Sequence, residues 1–426
     1  MRILPEGRYE VELPWNSNLM NLCDNKELAW KRHEKMINKL KCGNFFDDYQ
    51  NFFREWESMN IIERVPEIEL NYKCHYLPHR PVIKLNSQTT KVRPVFDASA
   101  SQRGKLFLNE CLHKGVNLPE MIPDILDRFR MFLIGISADI EKAFLMLSVA
   151  PKDRDFLRFF SPGSEGQEIY GHCQVVFGVC SSLYLLNISL IHLLENCPTE
   201  FKEIAQKMKR SFYVDNLVCG VYNISELEHF IEQAKCIMNK GFFNLRGFES
   251  NVDCKNVDKH SGDTSVLGII WNLDNDILKC CVDLEPLTCE GAYAACVFVR
   301  SIIDSKVNIV LARAKSRVAP LKPLIIPRLE LMACNVGARL VNSLMKALNF
   351  PNLKITFWSD STIALWWIKE QGNWSVFVSN RVKEIRLLTK THSWKPVPGN
   401  MNPADLLSRG CYPYKLLKSK WWEGPA

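Results

Sequence analysis

The spacing of hydrophobic residues changes along the chain, from a helical period near the N terminus to short apolar runs further on. Apolar side chains recur every three or four positions over residues 25–40 and again over residues 45–62. This period is typical of amphipathic helices, so we predict a mostly helical N-terminal segment. From Tyr72 onward the apolar runs become short and are separated by proline and polar residues. That pattern indicates strands and turns.

Two of these short runs predict a basic hairpin. They cover residues 82–85 and 91–96 and are joined by a polar loop. Lys84, Lys91 and Arg93 belong to this hairpin, and cations in such a place can bind phosphates. An ordinary charge at the edge of a sheet is the alternative interpretation of Arg93.

Two further apolar runs each lead to an acidic residue. Residues 132–136 are predicted to form a strand that leads to Asp139 and then into a helical segment. Residues 211–220 are predicted to form a hairpin with Asp215 and Asn216 as its turn residues. Ligands commonly gather where strands end, so both acids are candidate site residues. The alternative for the hairpin is an ordinary Asp-Asn surface turn.

The rest of the chain divides into two regions by the same criteria. The first continues with strands at 156–160 and through 175–177, helices from Ser181 and at 226–239, a strand or loop at 244–251 and a strand at 266–271. From about Ala292, strands and helices alternate, which is typical of a small α/β domain. Its predicted elements are strands at 292–299, 308–312 and 353–358, a helix at 327–348 and a helix after Ser361.

Composition is that of a globular protein with a mildly basic balance. The 426 residues are 47% hydrophobic and carry a formal net charge of +7, which permits a polyanionic partner. The 16 cysteines include no C-x-x-C pair, and no signal segment precedes the first helix, so we expect an intracellular protein in the cytoplasm or nucleus. Residues 175–194 have the length of a membrane span and no formal charge, but their polar side chains favour a buried strand-to-helix segment and no membrane association.

Acids at the ends of two strands fit metal-assisted nucleotidyl transfer. Such a reaction uses two divalent cations, roughly 3.5–4 Å apart, to activate a 3′-hydroxyl and to stabilise the pyrophosphate leaving oxygen. Asp139 and Asp215 are the candidates for holding the cations, and an aromatic residue, Phe144, lies five positions after the first.

The sequence around these acids resembles reverse transcriptases of the Pao/BEL family of LTR retrotransposon polyproteins. Seven motifs in order carry the resemblance: LPHRP (77–81), KVRPVFDAS (91–99), LNECLHKG (108–115), ADIEKAF (138–144), FGVCSS (177–182), FYVDN (212–216) and NLR (244–246). The resemblance implies a right-hand polymerase domain of the α+β class, with palm and fingers. It also implies Mg²⁺ or Mn²⁺ as cofactor. The implied partners are an RNA template, a DNA primer or RNA–DNA hybrid, and deoxynucleoside triphosphates.

The resemblance also implies roles for single residues of this first region. Asp139 and Asp215 correspond to the metal-binding acids, and Asn216 to the second of the two adjacent acids of the catalytic hairpin. The substrate-binding positions are Arg93 for the triphosphate, Asp97 in the same motif, Phe144 as a gate against a ribose 2′-hydroxyl, and Phe177 with Gly178 along the nucleotide pocket. For Phe144 and Phe177, packing in the core is the alternative.

The second region resembles the ribonuclease H domain of the same family. The motifs PRLEL (327–331), WSDST (358–362) and NPADLLSRG (402–410) supply Glu330, Asp360 and Asp405 as catalytic, metal-binding acids. Three acids on separate elements can converge on a two-metal site that hydrolyses the RNA strand of a hybrid. The resulting domain prediction is a helical segment at 1–70, a reverse-transcriptase-like region at 71–283, a ribonuclease H-like α/β domain at 284–410 and a tail at 411–426.

The chain departs from the family pattern in three places. Asn216 replaces the second acid of the catalytic turn, so we expect weaker metal binding and impaired polymerase activity. Leu287 stands where the first ribonuclease H acid belongs, and neither Glu285 nor Glu290 matches that position, so we expect this site to be inactive. The thumb and connection are largely missing, which indicates an internal deletion or an imperfect gene model, and no flanking protease or integrase is found.

Two functional hypotheses follow. The first is an RNA-directed DNA polymerase with an attached ribonuclease H-like domain, weakened by Asn216. The second is a non-catalytic remnant of a transposable element that still binds nucleic acid.

Overall fold

The computed structural model describes residues 1–43, 45–83, 92–115, 121–163, 168–279, 292–304, 306–320, 324–349, 353–409, 416, 418, 419, 421 and 422. The chain forms two compact units. Unit 1 comprises Met1–Ile125 and Phe132–Ile277, and unit 2 comprises Leu126–Met131 and Leu278–Ala426. Both contain helices and strands, which confirms the mixed fold class expected from the sequence.

Helices occur in both units. In chain order they are α1 Lys26–Cys42, α2 Phe46–Ser58, α3 Ile122–Phe129, α4 Pro151–Arg154, α5 Ser182–Glu195, α6 Lys202–Lys209, α7 Ile224–Lys240, α8 Ile326–Leu348, α9 Thr362–Lys369, α10 Val376–Leu388 and α11 Ala404–Arg409. The two predicted N-terminal helices are confirmed as α1 and α2. Within the described residues, none of these helices is long and apolar enough to cross a membrane.

Strands outnumber helices but are mostly short. They are β1 Arg2–Ile3, β2 Tyr9–Val11, β3 Ile62–Arg64, β4 His79–Ile83, β5 Val92–Phe96, β6 Ile134–Ile140, β7 Ser148–Val149, β8 Arg158–Phe160, β9 Ile169–His172, β10 Phe212–Tyr213, β11 Asn216–Val221, β12 Leu245–Ser250, β13 Asp263–Val266, β14 Ile269–Asn272, β15 Ile277–Lys279, β16 Ala292–Ile303, β17 Lys306–Val318, β18 Phe357–Ser359 and β19 Trp394–Pro396.

A four-stranded antiparallel sheet of order β10–β11–β6–β12 is the framework of the first candidate site. Its central strand β6 is buried at every position except Asp139, which is partly exposed. Because β6 is buried on both faces, its sequence is an almost continuous apolar run and not an alternation of apolar and polar residues. Helices α6 and α7 pack against the sheet. The sheet therefore presents one acidic side chain at the end of an otherwise apolar strand.

Two smaller sheets and the first two helices complete the N-terminal part of unit 1. Strands β4 and β5 pair antiparallel, which confirms the predicted hairpin, while its loop at 84–91 lies outside the described residues together with Lys84 and Lys91. Strands β3, β9 and β8 form a second sheet. The aromatic rings of Phe53, Phe96 and Phe159 lie in contact with one another or with His79 between these elements.

Three predicted elements differ from the structure. The strand predicted through residues 175–177 is wrong, because β9 ends at His172 and the following residues pass as a loop into α5. The strand predicted at 266–271 is two strands, β13 and β14, that turn at Leu267 and Gly268 with φ of 50° and 85°. The helix predicted after Asp139 is one short 3₁₀ turn, Ala143–Met146.

Unit 2 combines an antiparallel hairpin with a parallel strand pair. Strands β16 and β17 form the hairpin, and β18 pairs parallel with β19. The long helix α8 packs against β16 and α10. Its core contains Leu331 and Ala338 from α8, together with Phe357 and Trp394, whose rings stack across the parallel pair at 4.6 Å.

Candidate functional site

Asp139 lies between two neighbouring strands of the four-stranded sheet. In the strand register it is opposite Asn216 of β11 on one side and Arg246 of β12 on the other. Because these residues pair through their backbones, their side chains are held in fixed order across the end of the sheet. The sheet itself thus brings together the predicted acid and two polar neighbours.

Asp215 lies in the two-residue turn between β10 and β11. Tyr213 and Asn216 pair across the hairpin, so the turn residues are Val214 and Asp215. The prediction that Asn216 belongs to the turn is therefore wrong: it is the first residue of β11. Val214 has φ of 57°, a strained backbone for a β-branched residue, and such strain clusters at functional turns. The carbonyl oxygen of Asp215 accepts a hydrogen bond from the Ile140 N–H at 2.9 Å, which ties the turn to β6.

Both acids have pKa values raised above the ordinary range. For Asp139, burial raises the pKa most, Arg246 lowers it and Glu141 raises it. For Asp215, burial again raises the pKa most, and the nearby Asp139 carboxylate adds to the increase, whereas its backbone and Asn216 lower it. The pKa of Asp215 thus responds to repulsion by the Asp139 carboxylate, whereas burial, Arg246 and Glu141 govern the pKa of Asp139.

The amide of Asn216 moderates this repulsion. Its Nδ2 donates a hydrogen bond to Oδ1 of Asp215 at 2.9 Å. An aspartate at this position would instead add a third carboxylate to the pair. Without metal, the protein is therefore more stable with the amide of Asn216 than it would be with a carboxylate at this position.

Arg246 is a charged neighbour that the sequence analysis did not assign to the site. Its guanidinium lies 3.9 Å from Oδ2 of Asp139 and donates to Oε1 of Glu141 at 2.8 Å. The side chain of Asn244 also donates to Glu141, at 2.8 Å. The NLR motif contains Asn244 and Arg246, so their place in an ordered motif beside the acids was a usable signal.

Gly247 allows β12 to pass directly beside Asp139. Its φ is 62°, and a Cβ atom there would lie 2.8 Å from Oδ1 of Asp139. The register shifts between Arg246 and Glu249, which marks a bulge at this point. A glycine inside a strand pattern commonly signals a bulge or a close approach, so the sequence held a signal for this residue as well.

A second cluster contains the predicted aromatic residues. Phe144 is buried at 2% exposure and packs edge-to-face on Phe177, with ring centroids 4.4 Å apart, whereas Phe177 is 63% exposed. Gly178 has φ of 101°, and a Cβ atom there would lie 2.1 Å from the carbonyl oxygen of Phe96 in β5. Only glycine fits this contact, which brings the loop after β9 against the end of the β4–β5 hairpin.

Asn109 fastens the same loop, although it was not predicted as a site residue. Its Nδ2 donates to the carbonyl oxygen of Gly178 at 3.0 Å and to Oγ of Ser99 at 2.9 Å. Its Oδ1 accepts from the N–H of Cys180 at 2.7 Å. One side chain therefore links three segments, which explains an asparagine in the LNECLHKG motif.

The two remaining predicted residues of unit 1 lie on and beside β5. Arg93 is an exposed residue of that strand, opposite Val82. Asp97 follows the strand, and its carboxylate accepts hydrogen bonds from the Ser99 N–H at 3.1 Å and from Arg32 of α1 at 2.8 Å. The carboxylate of Asp97 is thus engaged in holding the chain after β5 against α1.

Unit 2 brings its three predicted acids into electrostatic contact. Glu330 lies near the start of α8, Asp360 directly follows β18, and Asp405 lies in the first turn of α11. Burial, followed by Asp360 and Asp405, raises the pKa of Glu330 to about 7. The pKa of Asp405 is raised by burial and by Asp360, and lowered by Arg409, which binds it at 2.8 Å. Three elements distant in sequence therefore converge on one acidic site.

The donor chemistry of both clusters suits a hard divalent cation, because carboxylate oxygens are the ligands that Mg²⁺ and Mn²⁺ prefer. Cys334, one turn after Glu330, is no competitor, since burial raises the pKa of its thiol to about 12 and keeps it protonated. Within the part of the chain that the structure describes, no three His, Cys, Asp or Glu side chains are grouped closely enough to hold a metal ion. The ribonuclease H position at Leu287, with Glu285 and Glu290, lies outside the described residues.

A comparison with protein-family models links unit 2 to retroelements. Residues 288–361 match the model described as the Pao retrotransposon-like RNaseH-like domain. The resemblance to Pao retrotransposons is confirmed. The matched Pao-like segment contains β16, β17, α8 and β18, and with them Glu330 and Asp360. No curated protein matches the chain.

Solved structures of foamy virus proteins share a distant likeness with the chain. The foamy viral protease–reverse transcriptase in complex with RNA/DNA hybrid is 13% identical with a TM-score of 0.37, over 63% of this chain and 28% of that one. The native prototype foamy virus protein is 13% identical with a TM-score of 0.38, over 91% and 38%. The dRH form with double-stranded DNA is 12% identical with a TM-score of 0.43, over 80% and 67%. The chain thus spans about a third of the length of the first two.

Replacing Gly247 by alanine should destabilise unit 1 and disturb Asp139. We expect a loss of about 1–2 kcal/mol in the free energy of unfolding, since alanine at positive φ is strained and its Cβ would meet the Asp139 carboxylate. Gly262→Ala is the matched control: its φ is 76°, but nothing lies within 4 Å of the added Cβ. Denaturant unfolding of the two variants compares them, and equal losses would contradict a specific contact with Asp139.

Stability of unit 2 should fall as pH rises from about 4.5 to 7. The folded protein holds the Glu330 proton up to about pH 7, whereas the unfolded chain releases it near 4.5, so the unfolded state gains stability over this window. Glu330→Gln should flatten the fall, and exposed Glu370→Gln should leave it unchanged. Thermal unfolding without metal at a series of pH values tests this, and parallel curves for wild type and Glu330→Gln would refute it.

Proposed function

We propose that the chain is a retroelement-derived RNA-directed DNA polymerase with an attached ribonuclease H-like domain, and that Asn216 weakens its polymerase site. In this proposal the four-stranded sheet of unit 1 is the palm, and the β4–β5 hairpin with α1 and α2 belongs to the fingers. The observation that carries it is the pairing of β6 with β11, in which Asp139 is opposite Asn216, the residue after Asp215, at one end of the sheet.

The chain's own residues would perform the positioning. Asp139 and Asp215 would hold divalent cations, which when bound activate a primer 3′-hydroxyl and stabilise the pyrophosphate leaving group. Arg93 would bind the triphosphate of the incoming nucleotide. The raised pKa values of both acids fit this role, because a bound cation would favour their ionised forms.

The aromatic cluster would shape the nucleotide pocket. Phe144, packed edge-to-face on Phe177, would form a wall that crowds a ribose 2′-hydroxyl, and Gly178 would hold the loop that carries Phe177. Asp97 would act indirectly, by fixing the chain after β5 through Arg32 and Ser99. Deoxynucleoside triphosphates, an RNA template and a DNA primer are the proposed substrates.

Unit 2 would contribute an incomplete ribonuclease H site. Glu330, Asp360 and Asp405 would be the acids of this site, but as the structure has them the three side chains are not grouped closely enough to hold a cation together, and Arg409 already binds Asp405. Two-metal hydrolysis needs a further acid, and this chain has Leu287 where the family pattern has that acid. We therefore propose that unit 2 binds a hybrid without cleaving it, and that residues 71–283 and 284–410 are the functional domains.

One observation favours the alternative, a non-catalytic remnant that binds nucleic acid. Arg246 lies 3.9 Å from the Asp139 carboxylate and 2.8 Å from Glu141, so a fixed positive charge already occupies the neighbourhood of a cation. A metal ion would have to compete with this guanidinium. The two hypotheses differ in whether Mg²⁺ or Mn²⁺ binds at the end of the sheet.

Asn216→Asp should raise metal-dependent primer extension on an RNA template. A further carboxylate would offset the charge of the cations, and we expect a gain on the order of tenfold or more, since about 1.4 kcal/mol of transition-state stabilisation corresponds to tenfold. The same variant should be less stable without metal, because the hydrogen bond to Asp215 is lost, and should gain more in melting temperature on addition of Mg²⁺.

Asp139→Asn in the Asn216→Asp background is the control for that experiment. It should abolish both the extension and the added stabilisation by Mg²⁺. If Mg²⁺ stabilises the Asn216→Asp variant but extension does not rise, the metal site is sound and the missing connection limits activity. If neither changes, the polymerase proposal fails.

Affinity for an RNA–DNA hybrid should decrease linearly with the logarithm of salt concentration. Phosphate contacts by lysine and arginine release counterions, and the slope of the logarithmic plot is about −0.9 for each contact on B-form duplex. In the non-catalytic alternative, where the basic fingers bind the nucleic acid, Arg93→Gln should reduce the slope by roughly one contact. Fluorescence anisotropy with labelled hybrid measures both quantities, and absence of binding at low salt would exclude the non-catalytic alternative as well as the polymerase.

A further inference from the structure

A polar pocket in unit 2 lies on the opposite side of α8 from the acidic site. It has a volume of about 260 Å³ and is lined by residues of the β16–β17 hairpin, α8 and α10. Arg339, in its wall, follows Glu330 by nine residues, which is about two and a half helical turns, so the two side chains face opposite directions. The pocket is therefore separate from Glu330 and its partners on this helix.

The lining of the pocket carries an excess of positive charge. The lining contains three positive charges and one negative charge, which leaves a net excess of two positive charges. The charged side chains are Arg317, Arg339, Arg381 and Glu384. Arg339 forms a two-pronged ion pair with Glu384, with Nε to Oε1 at 2.6 Å and Nη2 to Oε2 at 2.9 Å. Asn335, which is 7% exposed, donates to Oε2 as well, at 3.1 Å.

Arg339 and Asn335 hydrogen-bond to Glu384, whereas Arg381 affects it only through its charge. Arg317 makes no ion pair with any described residue, and its strand partner in the hairpin is Tyr293, also in the wall. Arg381 is held without an acid: its guanidinium lies 4.0 Å from the centroid of the Phe377 ring, and its Nη1 donates to the Phe377 carbonyl oxygen at 3.3 Å. Packing on an aromatic face fixes an arginine while leaving donors for a ligand.

We propose that this pocket binds a phosphate-type oxyanion through Arg317 and Arg381, with Arg339 and Asn335 held in position by Glu384. Guanidinium groups match the oxygen geometry of phosphate, and a preformed pocket spares the cost of ordering the side chains. A free phosphate and a phosphodiester of a nucleic-acid backbone present the same oxygens, and the two probes below distinguish them. This site is independent of both carboxylate clusters.

Inorganic phosphate and an RNA–DNA hybrid are the two probes, each used with the full chain. Arg317→Gln and Arg381→Gln should each weaken phosphate binding about fivefold to tenfold, the usual effect of removing one charge-assisted contact. Arg300→Gln, on the exposed part of the same hairpin, should leave it unchanged. Isothermal titration calorimetry gives the affinities, and melting temperatures verify that each variant is folded.

Glu384→Gln should change phosphate affinity in the opposite direction from the arginine variants. Misfolding would lower the affinity, so it cannot account for an increase. Removing the only carboxylate of the lining increases the net positive charge, so phosphate affinity should rise severalfold. Weaker binding of free phosphate by both arginine variants, with hybrid affinity unchanged, would identify a site for free phosphate. Weaker hybrid binding by the same variants would identify a backbone phosphodiester. No response of either probe, or an equal loss in Arg300→Gln, would overturn the proposal.

Discussion

The structure of unit 1 depends on holding two like charges close together at the end of a sheet. Backbone pairing between β6 and β11 sets Asp139 opposite Asn216, the residue after Asp215, and burial of both acids is the largest cause of their raised pKa values. The strained backbone at Val214 and the close passage of Gly247 are further costs at the same place. Such an arrangement persists only because the surrounding sheet is buried and rigid.

Unit 2 meets the same constraint with a different compensation. In unit 1, fixed groups offset the repulsion: the Asn216 amide on Asp215 and the Arg246 guanidinium near Asp139. In unit 2 the proton of Glu330 does so, because its pKa of about 7 leaves the group largely protonated below neutrality. The two clusters therefore differ in what offsets the repulsion, which is fixed polar and charged neighbours in unit 1 and a proton in unit 2.

Local sequence patterns predicted the helices and strands whose apolar residues recur regularly. They failed where a single contact between distant segments determines the local structure. The helical period of α1 and α2 and the apolar run of β6 were sufficient for their prediction. The strand expected at 175–177 is absent because Gly178 must reach the Phe96 carbonyl oxygen, a contact between segments about eighty residues apart that no local pattern encodes. Similarly, Asn216 was predicted as a turn residue because Asp-Asn is typical of turns, but the register of β11 on β6 shifts the turn to Val214 and Asp215.

The candidate site was partly predictable for a related reason. Acids that end apolar runs are visible in the sequence, and the NLR motif and Gly247 gave a signal nearby. That Arg246 and Gly247 meet Asp139 depends on strand pairing, which no local pattern encodes. These neighbours change the effect that Asn216 has on the charge of the site. The amide of Asn216 makes the site less negative than an aspartate would. Arg246 supplies positive charge that offsets part of the negative charge that remains. In both proposed functions the amide at position 216 favours stability without metal, whereas an aspartate would favour metal binding, so this one position separates the two proposals.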